Sequence, residues 1–503
     1  MTTSDQPFDL IVVGGGINGA GIACDASGRG LSVCLLEKND LASATSSASS
    51  KLIHGGLRYL EQYEFRLVRE ALSEREKMLS KAPQIISPLR FVLPHHNQLR
   101  PAWMLRLGLF LYDHLAAHPR LPNSRRIDLA GDALGAPLVD TISKGFTYWD
   151  CWVDDARLVI LNAMQAAENG AQIRTRTEVI NASRKNDLWQ VDIVDGESGE
   201  ASALFSRALV NAAGPWVGTV QDMALTLKRN SDVLLVKGSH IVVPKMYDGD
   251  HAYILQNEDQ RVIFVIPYEE EFSLIGTTDI PIEGDPSDVQ ISGDEIEYLC
   301  RSVNSYFKKT VSVADVRWSY SGVRPLFDDA ENDPSKVTRE YVLEVDGDTG
   351  QAPMLSVFGG KITTYRRLAE HALAKLKPYF PAMKSNWTAT AALPGGRIPG
   401  DDFTQFIDRM VSDHQGIDPD YLRALAHRHG DRTAAVLGDA ETMAALGENF
   451  GGGLFGCEVE YLIAYEWALT AEDILWRRTK TGLHMSVEEH AALDRYLAVR
   501  PAD

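Results

Sequence analysis

The chain has 503 residues, enough for two to four domains at roughly 150 residues each. Hydrophobic residues make up 45% and charged residues 24%, a globular composition that excludes wholesale disorder. Acidic side chains outnumber basic ones by 69 to 50, and the net charge of −19 argues against nucleic acid as the main partner, since a phosphate backbone is met by a basic face.

Residues 8–13 (FDLIVV) are a short apolar run that suits a buried parallel strand. A glycine-rich turn, a helix of small residues reaching Ala26 and a second buried strand at 31–36, closed by Glu37, follow. Residues 41–51 are rich in Ser, Thr and Ala, carry neither helical nor strand period, and read as a loop. Leu60, Leu67, Val68, Ala71 and Leu72 then keep helical spacing, with the polar Glu64 among them. Between residues 95 and 126 the character changes. Arg100, Arg106, Arg120, Arg125 and Arg126 stand against one acid, Asp113, around an apolar window at 103–112. The stretch 100–107 reads either as a core helix with solvated arginines or as an interfacial anchor on anionic lipid.

A helix is expected over 155–169, capped by Asp154 or Asp155 and ended by Gly170. Strands are expected at 173–180, 189–194 and 208–213. The β-branched runs HIVVP, RVIFVIP and FSLIGTTD within 233–278 read as an antiparallel sheet. A helix at 292–307, strands at 341–345 and 355–358, and a helix at 363–376 complete the pattern. LPGGRIPG (393–400) marks a linker. Beyond it the chain reads as all-helical, and from residue 391 it carries 19 acids against 10 bases. The five cysteines, Cys24, Cys34, Cys151, Cys300 and Cys457, are odd in number and form no C-x-x-C pair. Neither a disulfide framework nor a metal site is expected, and a reducing compartment is. The polar start MTTSDQPFDL is not expected to be a signal peptide, and no run of about 18 apolar residues occurs.

Gly14-x-Gly16-x-x-Gly19 lies between a predicted strand and helix, and Glu37 ends the next strand. The first glycine allows a tight turn, the second close approach of a pyrophosphate, and the third close packing of helix on strand. A carboxylate at Glu37 suits ribose hydroxyls and disfavours a 2′-phosphate, which leaves FAD or NAD. Asn211-Ala212-Ala213-Gly214 and Gly359-Gly360-Lys361 return to the dinucleotide fold after a β-rich insertion. A nicotinamide enzyme completes that fold in one contiguous domain, so FAD is expected. The helix after Gly360 would also aim its positive end at the anion of a reduced flavin.

The segments GGGINGAG, DLASATSSASSKLIHGGLRYLE, CWVDDARL, NAAGPW, KGSHIVVP, IGTTD, YSGVRPL and SVFGGKITTYRRLAEHAL resemble the FAD-dependent glycerol-3-phosphate dehydrogenases, the bacterial aerobic, respiratory enzymes above all. The tail resembles that family mainly through DILWRRTKTG. The resemblance implies an α/β fold: a Rossmann-type FAD-binding domain interleaved with a β-rich substrate (cap) domain of the D-amino-acid-oxidase type, plus an all-helical C-terminal domain. The core would span 1–390, with FAD-binding parts at about 1–80, 145–230 and 335–385 and substrate-binding parts at about 81–144 and 231–334; the helical domain would span 391–503. It further implies oxidation of sn-glycerol 3-phosphate to dihydroxyacetone phosphate, electron transfer to quinone, and peripheral attachment on the cytoplasmic face of the membrane. A homodimer stays open.

Within these motifs, FAD contacts are expected from Gly14, Gly15, Gly16, Asn18, Gly19, Glu37 and Lys38, and along the loop from Thr45, Ser46, Ser50, Lys51, Leu52, Gly55 and Gly56. Val179, Ala212, Gly214, Trp216, Gly322, Gly359, Gly360, Lys361 and Thr363 complete the set. Loss of a hydride from C2 and a proton from O2 requires a base, an alkoxide stabiliser and cationic anchors for the phosphate dianion. His54 is the leading base and His240 the second, and Lys361 stabilises alkoxide or reduced flavin. Arg58, Tyr59, His240, Arg324, Arg339 and Lys361 surround the substrate, arginine suiting phosphate through its paired donors. The plain alternatives are a structurally bonded strand histidine, helix-surface ion pairs for Arg58, and solvated Arg324 and Lys361. Other readings of the whole are an oxygen-using oxidase, an amine oxidase of the same superfamily, and a non-catalytic flavin module.

Overall fold

Phe8–Val13 is buried almost throughout because it is sandwiched between two parallel neighbours, Val33–Leu36 and Ala201–Asn211. Met354–Phe358 extends this sheet in parallel beyond Ala201–Asn211, and Gln172–Arg174 extends it beyond Val33–Leu36. The structure, a computed structural model, describes residues 6–95, 101–117, 120–185, 187–224, 233–259, 261–327, 340–347 and 351–499. Of Arg58, Glu61, Gln62 and Asp401 it describes the backbone alone. Helix Ile17–Gly28 packs on helices Asp155–Glu168 and Tyr365–Leu376. Its Ala20, Ala23 and Ala26 are fully buried, and these small side chains permit the close approach.

The expected strand at 173–180 is two strands, Gln172–Arg174 and Thr177–Lys185, broken where Arg176 takes φ +52°. The expected helix at 155–169 forms as Asp155–Glu168, with Asp154 capping through the Arg157 N–H. Ser292 likewise caps Gly293–Asn304 with a reciprocal box to Glu295.

A second sheet, ten-stranded among the described residues, forms the cap. Val233–Pro244 is its spine, pairing antiparallel with Phe272–Gly276 and with Trp318–Phe327. Val262–Tyr268 and His251–Gln256 lead from there to Ile86–His95 and Lys144–Val153. Lys144–Val153 therefore lies in the cap sheet. Its run KGFTYWDCWV pairs with Ile86–His95 along its full length, which holds it in the cap.

Helix Ala102–His114 buries Leu105, Leu109 and Tyr112 against the cap and turns Trp103, Leu107 and Phe110 outward. One face is thus part of the core and the other is exposed to solvent. Arg100, at its head, lies outside the described residues.

The tail is helical, with helices Phe403–Asp413, Pro419–His429, Gly456–Glu466 and Val487–Ala498, and has one short hairpin, Asn449–Gly451 with Leu454–Phe455. Buried ion pairs join it to the core. Arg157 meets Glu466; Arg478 and Arg477 meet Asp40; Lys480 Nζ donates to both Asp154 oxygens at 2.9 and 3.0 Å.

Candidate active site

One cleft of about 580 Å³ runs between the two sheets, from the glycine turn to the cap. At the nucleotide end, Gly14 has φ +108°, and a Cβ there would stand 2.5 Å from the Ala212 carbonyl oxygen. A Cβ on Gly19 would lie 1.9 Å from the Gly14 carbonyl oxygen, so any side chain would force helix and turn apart. The Gly15 N–H donates to Glu37 at 2.6 Å and the Asn39 N–H donates to its other oxygen at 2.8 Å. Burial pushes the Glu37 carboxyl up, and these two donors pull it back. Asn18 Nδ2 donates to the Gly359 carbonyl, while Asn18 Oδ1 is buried without a hydrogen-bond partner among the described residues.

These features fit FAD: a backbone cradle without side chains, a carboxylate at the end of the second strand, and an orphan acceptor facing the cleft. Gly14, Gly16, Asn18, Glu37, Lys38, Thr45, Ser46, Ser50, Leu52 and Gly56 line it, as do Val179, Ala212, Gly214, Trp216, Gly322, Gly359, Gly360, Lys361 and Thr363. Four expected contacts do not. Gly15 and Gly19 shape the turn from behind. Gly55 packs against Tyr112 and Leu72. Lys51 is drawn away by Asp155, at 2.7 Å, and by the Ser47 carbonyl, and fixes the Ser/Thr loop to the start of a helix.

At the cap end, His54, Tyr59, His240, Arg324 and Lys361 line the same cleft. The His54 N–H donates to Thr363 Oγ1 at 3.4 Å. Burial lowers the pKa of its imidazole, Asp150 opposes this, and Lys361 and Arg75 add to it. His240 is 1% exposed, shares Nε2 with the Ser50 hydroxyl at 2.8 Å, and stacks on Tyr320 with ring centroids 4.9 Å apart. Burial, then Arg324 and Lys51, push it well below the ordinary histidine range. Both imidazoles are therefore neutral at pH 7 and able to accept a proton. Lys361 Nζ sits 3.8 Å from the centre of the Tyr59 ring. The Arg58 side chain and Arg339 lie outside what the structure describes.

Arg324 donates to Asp279 at 2.8 Å and to Thr277 Oγ1 at 3.1 Å. Asp279 and Thr277 went unread in the sequence, although both stand in the IGTTD motif. Their pairing depends on register: Val236 faces Arg324 on one side and Pro281 on the other, which carries Asp279 across to the guanidinium.

A dinucleotide turn opening into a cleft between two sheets of this kind marks the class as FAD-dependent oxidoreductases, and the family model for FAD dependent oxidoreductase matches residues 9–366. The model for the C-terminal domain of alpha-glycerophosphate oxidase matches residues 386–499. The chain is 50% identical to the aerobic glycerol-3-phosphate dehydrogenase of Escherichia coli, over 97% of each chain. It is 54% identical to the D-erythritol 1-phosphate dehydrogenase of Brucella abortus, over 97% of each. The structure of the glycerol-3-phosphate dehydrogenase from Bacillus halodurans complexed with FAD superposes with a TM-score of 0.73 at 25% identity, covering 99% of this chain and 97% of that one. The chain belongs to the FAD-dependent glycerol-3-phosphate dehydrogenase family.

Proposed function

We propose that the enzyme oxidises sn-glycerol 3-phosphate to dihydroxyacetone phosphate and passes the electrons to a membrane quinone. The observation that carries this reading is the convergence of two neutral imidazoles and two cations in one cleft that fits FAD. FAD, when bound, would supply the hydride acceptor for C2. His54 accepts the O2 proton, with His240 as the second choice; Lys361 steadies the alkoxide; Arg324 pairs with the phosphate. Arg58 and Tyr59 join them on the strength of the HGGLRY motif, and Arg339 as a further cation. Anaerobic glycerol 3-phosphate should bleach the flavin absorbance in one turnover. An unbleached flavin excludes the reading.

A second reading follows from the Brucella relative: a longer polyol phosphate, with four carbons, as the better substrate. The ratio of kcat/KM for D-erythritol 1-phosphate and glycerol 3-phosphate decides between them. The outward face of Ala102–His114 supports the membrane side of the proposal. Trp103 is 68% exposed, with Leu107 and Phe110 beside it and Arg106 exposed on the same helix. Among the described residues no helix is long and apolar enough to cross a membrane, so this face would lie in the lipid interface. Trp103→Asp with Leu107→Asp should release the enzyme from anionic vesicles while leaving flavin content unchanged. Unaltered sedimentation would remove this helix as the anchor.

A further inference from the structure

Three side chains that do not line the cleft, Tyr112, Asp150 and Arg75, meet beneath the His54-Gly55-Gly56 turn. Tyr112, on the buried face of helix Ala102–His114, donates its phenol hydrogen to Asp150 at 2.7 Å. The same oxygen accepts the Gly55 N–H at 2.7 Å. Asp150, on strand Lys144–Val153, accepts from Arg75 of helix Phe65–Lys81 at 2.6 Å, and that Arg75 nitrogen also donates to the Trp149 carbonyl at 2.8 Å. Tyr112, Asp150 and Arg75 are each 2% exposed. A Cβ on Gly55 would stand 2.6 Å from both Tyr112 Oη and Leu72 Cδ2, so the turn rests directly on the phenol.

We propose that Tyr112, Asp150 and Arg75 act as a positioning unit for His54: the phenol fixes the height of the turn, and the carboxylate supplies negative charge behind the imidazole. This rests on the reading of His54 as proton acceptor. The charged groups facing His54 come from three elements: Asp150 on the cap strand, Arg75 on its helix, and Lys361 after strand Met354–Phe358. Two of the three are cationic, and burial adds to their effect. Asp150 alone works the other way, keeping the imidazole basic enough to take a proton. The Tyr112 phenol donates into that carboxylate and tempers its charge.

The two substitutions at this unit should therefore move His54 in opposite directions. Tyr112→Phe deletes one donor to Asp150, the carboxylate acts more fully on His54, and the imidazole becomes more basic. Asp150→Asn leaves Arg75 and Lys361 unopposed, and the imidazole becomes less basic. The experiment is single-turnover flavin reduction of the full-length holoenzyme by glycerol 3-phosphate, anaerobic, from pH 5 to 9. The acidic limb of the rate should shift upward by about half a pH unit in Tyr112→Phe and downward in Asp150→Asn. The maximal rate should fall about 10-fold in each, with the substrate concentration for half-maximal rate within about 2-fold. A merely structural role would slow both variants and leave both limbs in place. Asp150→Asn takes from buried Arg75 its nearest carboxylate and leaves it Glu76 at 3.5 Å, so its flavin-to-protein absorbance ratio is measured alongside; if it does not fold, Tyr112→Phe, which loses a single oxygen, decides alone. A limb that stays put in Tyr112→Phe, or moves the same way in both variants, overturns the inference. If the wild-type flavin is not bleached, the substrate reading falls and this inference with it; a bleached wild type with unmoved limbs removes the inference alone.

Discussion

Along the cofactor cleft the chain is shaped by what is missing; along the seam with the C-terminal domain it is shaped by what is paired. Gly14 and Gly19 leave room where a single carbon would strike backbone. At the seam, Arg157, Arg478 and Lys480 find Glu466, Asp40 and Asp154 across more than 300 residues of sequence. The first device is local and backbone-coded, so it tolerates no substitution but needs no partner. The second is long-range and costs desolvation of every charge, so either partner alone is a liability.

The largest effect should come from the cleft. Gly19→Val places carbon atoms inside the Gly14 carbonyl, and no rotamer escapes it. The purified variant should be colourless or absent from the soluble fraction, as read by the 450 nm to 280 nm absorbance ratio. Yellow protein with a normal ratio would mean that the turn can yield.

Next in size is the seam. Arg157→Ala leaves Glu466 buried and uncompensated, and such truncations cost about 3–5 kcal/mol. The measurement is urea unfolding, followed separately by flavin release and by far-UV circular dichroism. Replacing both partners, Arg157→Met with Glu466→Leu, should recover most of the loss, because apolar groups of similar volume pay no desolvation. If the double variant is no better than the single one, the pair contributes more than mutual neutralisation.

The third effect lies where the two devices meet. Arg324 belongs to the cleft but is held by an ion pair with Asp279, and both are about a quarter exposed. Losing a charge-assisted hydrogen bond costs about 1.5–3 kcal/mol, or about 10- to 150-fold in kcat/KM at 1.4 kcal/mol per decade. Arg324→Ala should show that loss on glycerol 3-phosphate with full flavin content, and Arg324→Lys should recover only part. Equal losses on unphosphorylated glycerol would show that Arg324 does not read the phosphate.

The same contrast governs what could be read from the sequence. The turn Gly14 to Gly19 and its carboxylate Glu37 sit within one βαβ unit, so spacing alone exposes them. His240, Arg324 and Lys361 were found because their motifs resemble a family, and they do share a cleft. Lys51, expected among the cofactor contacts, does not line the cleft because Asp155 captures it, and nothing local in the sequence shows that. Asp279 was missed because strand register, not spacing, sets it beside Arg324. The seam was invisible for the same reason at greater range: Arg477, Arg478 and Lys480 stand in DILWRRTKTG, which carries the family resemblance of the tail, and only the fold supplies their acids.

The smallest effect comes from a seam carboxylate held by neither device. Glu269 lies in the turn between Val262–Tyr268 and Phe272–Gly276, where Glu269 and Glu270 both take left-handed φ. This turn meets the tail, with Phe272 packed on His484 at 5.5 Å between ring centroids. Lys480, Arg428 and Lys51 draw on Glu269 while Asp154 repels it, and burial outweighs them, pushing its carboxyl from 4.5 up to about 7. The sign follows from proton linkage. The folded state holds this proton more tightly than the unfolded state, so the group's contribution to stability is fully present below about pH 4.5 and is lost as pH rises to about 7. Glu269→Gln imitates the protonated form at every pH. It should match wild type only below about pH 4.5, pull ahead as pH rises, and exceed it at pH 8 by about 1–2 kcal/mol, the lower part of what such a shift allows because the side chain is partly exposed. Thermal midpoints of both proteins at half-unit steps from pH 5 to pH 8.5 test this. Curves that run parallel across that window would show that Glu269 ionises without cost, and that the seam is wetter at the hairpin tip than its buried pairs suggest.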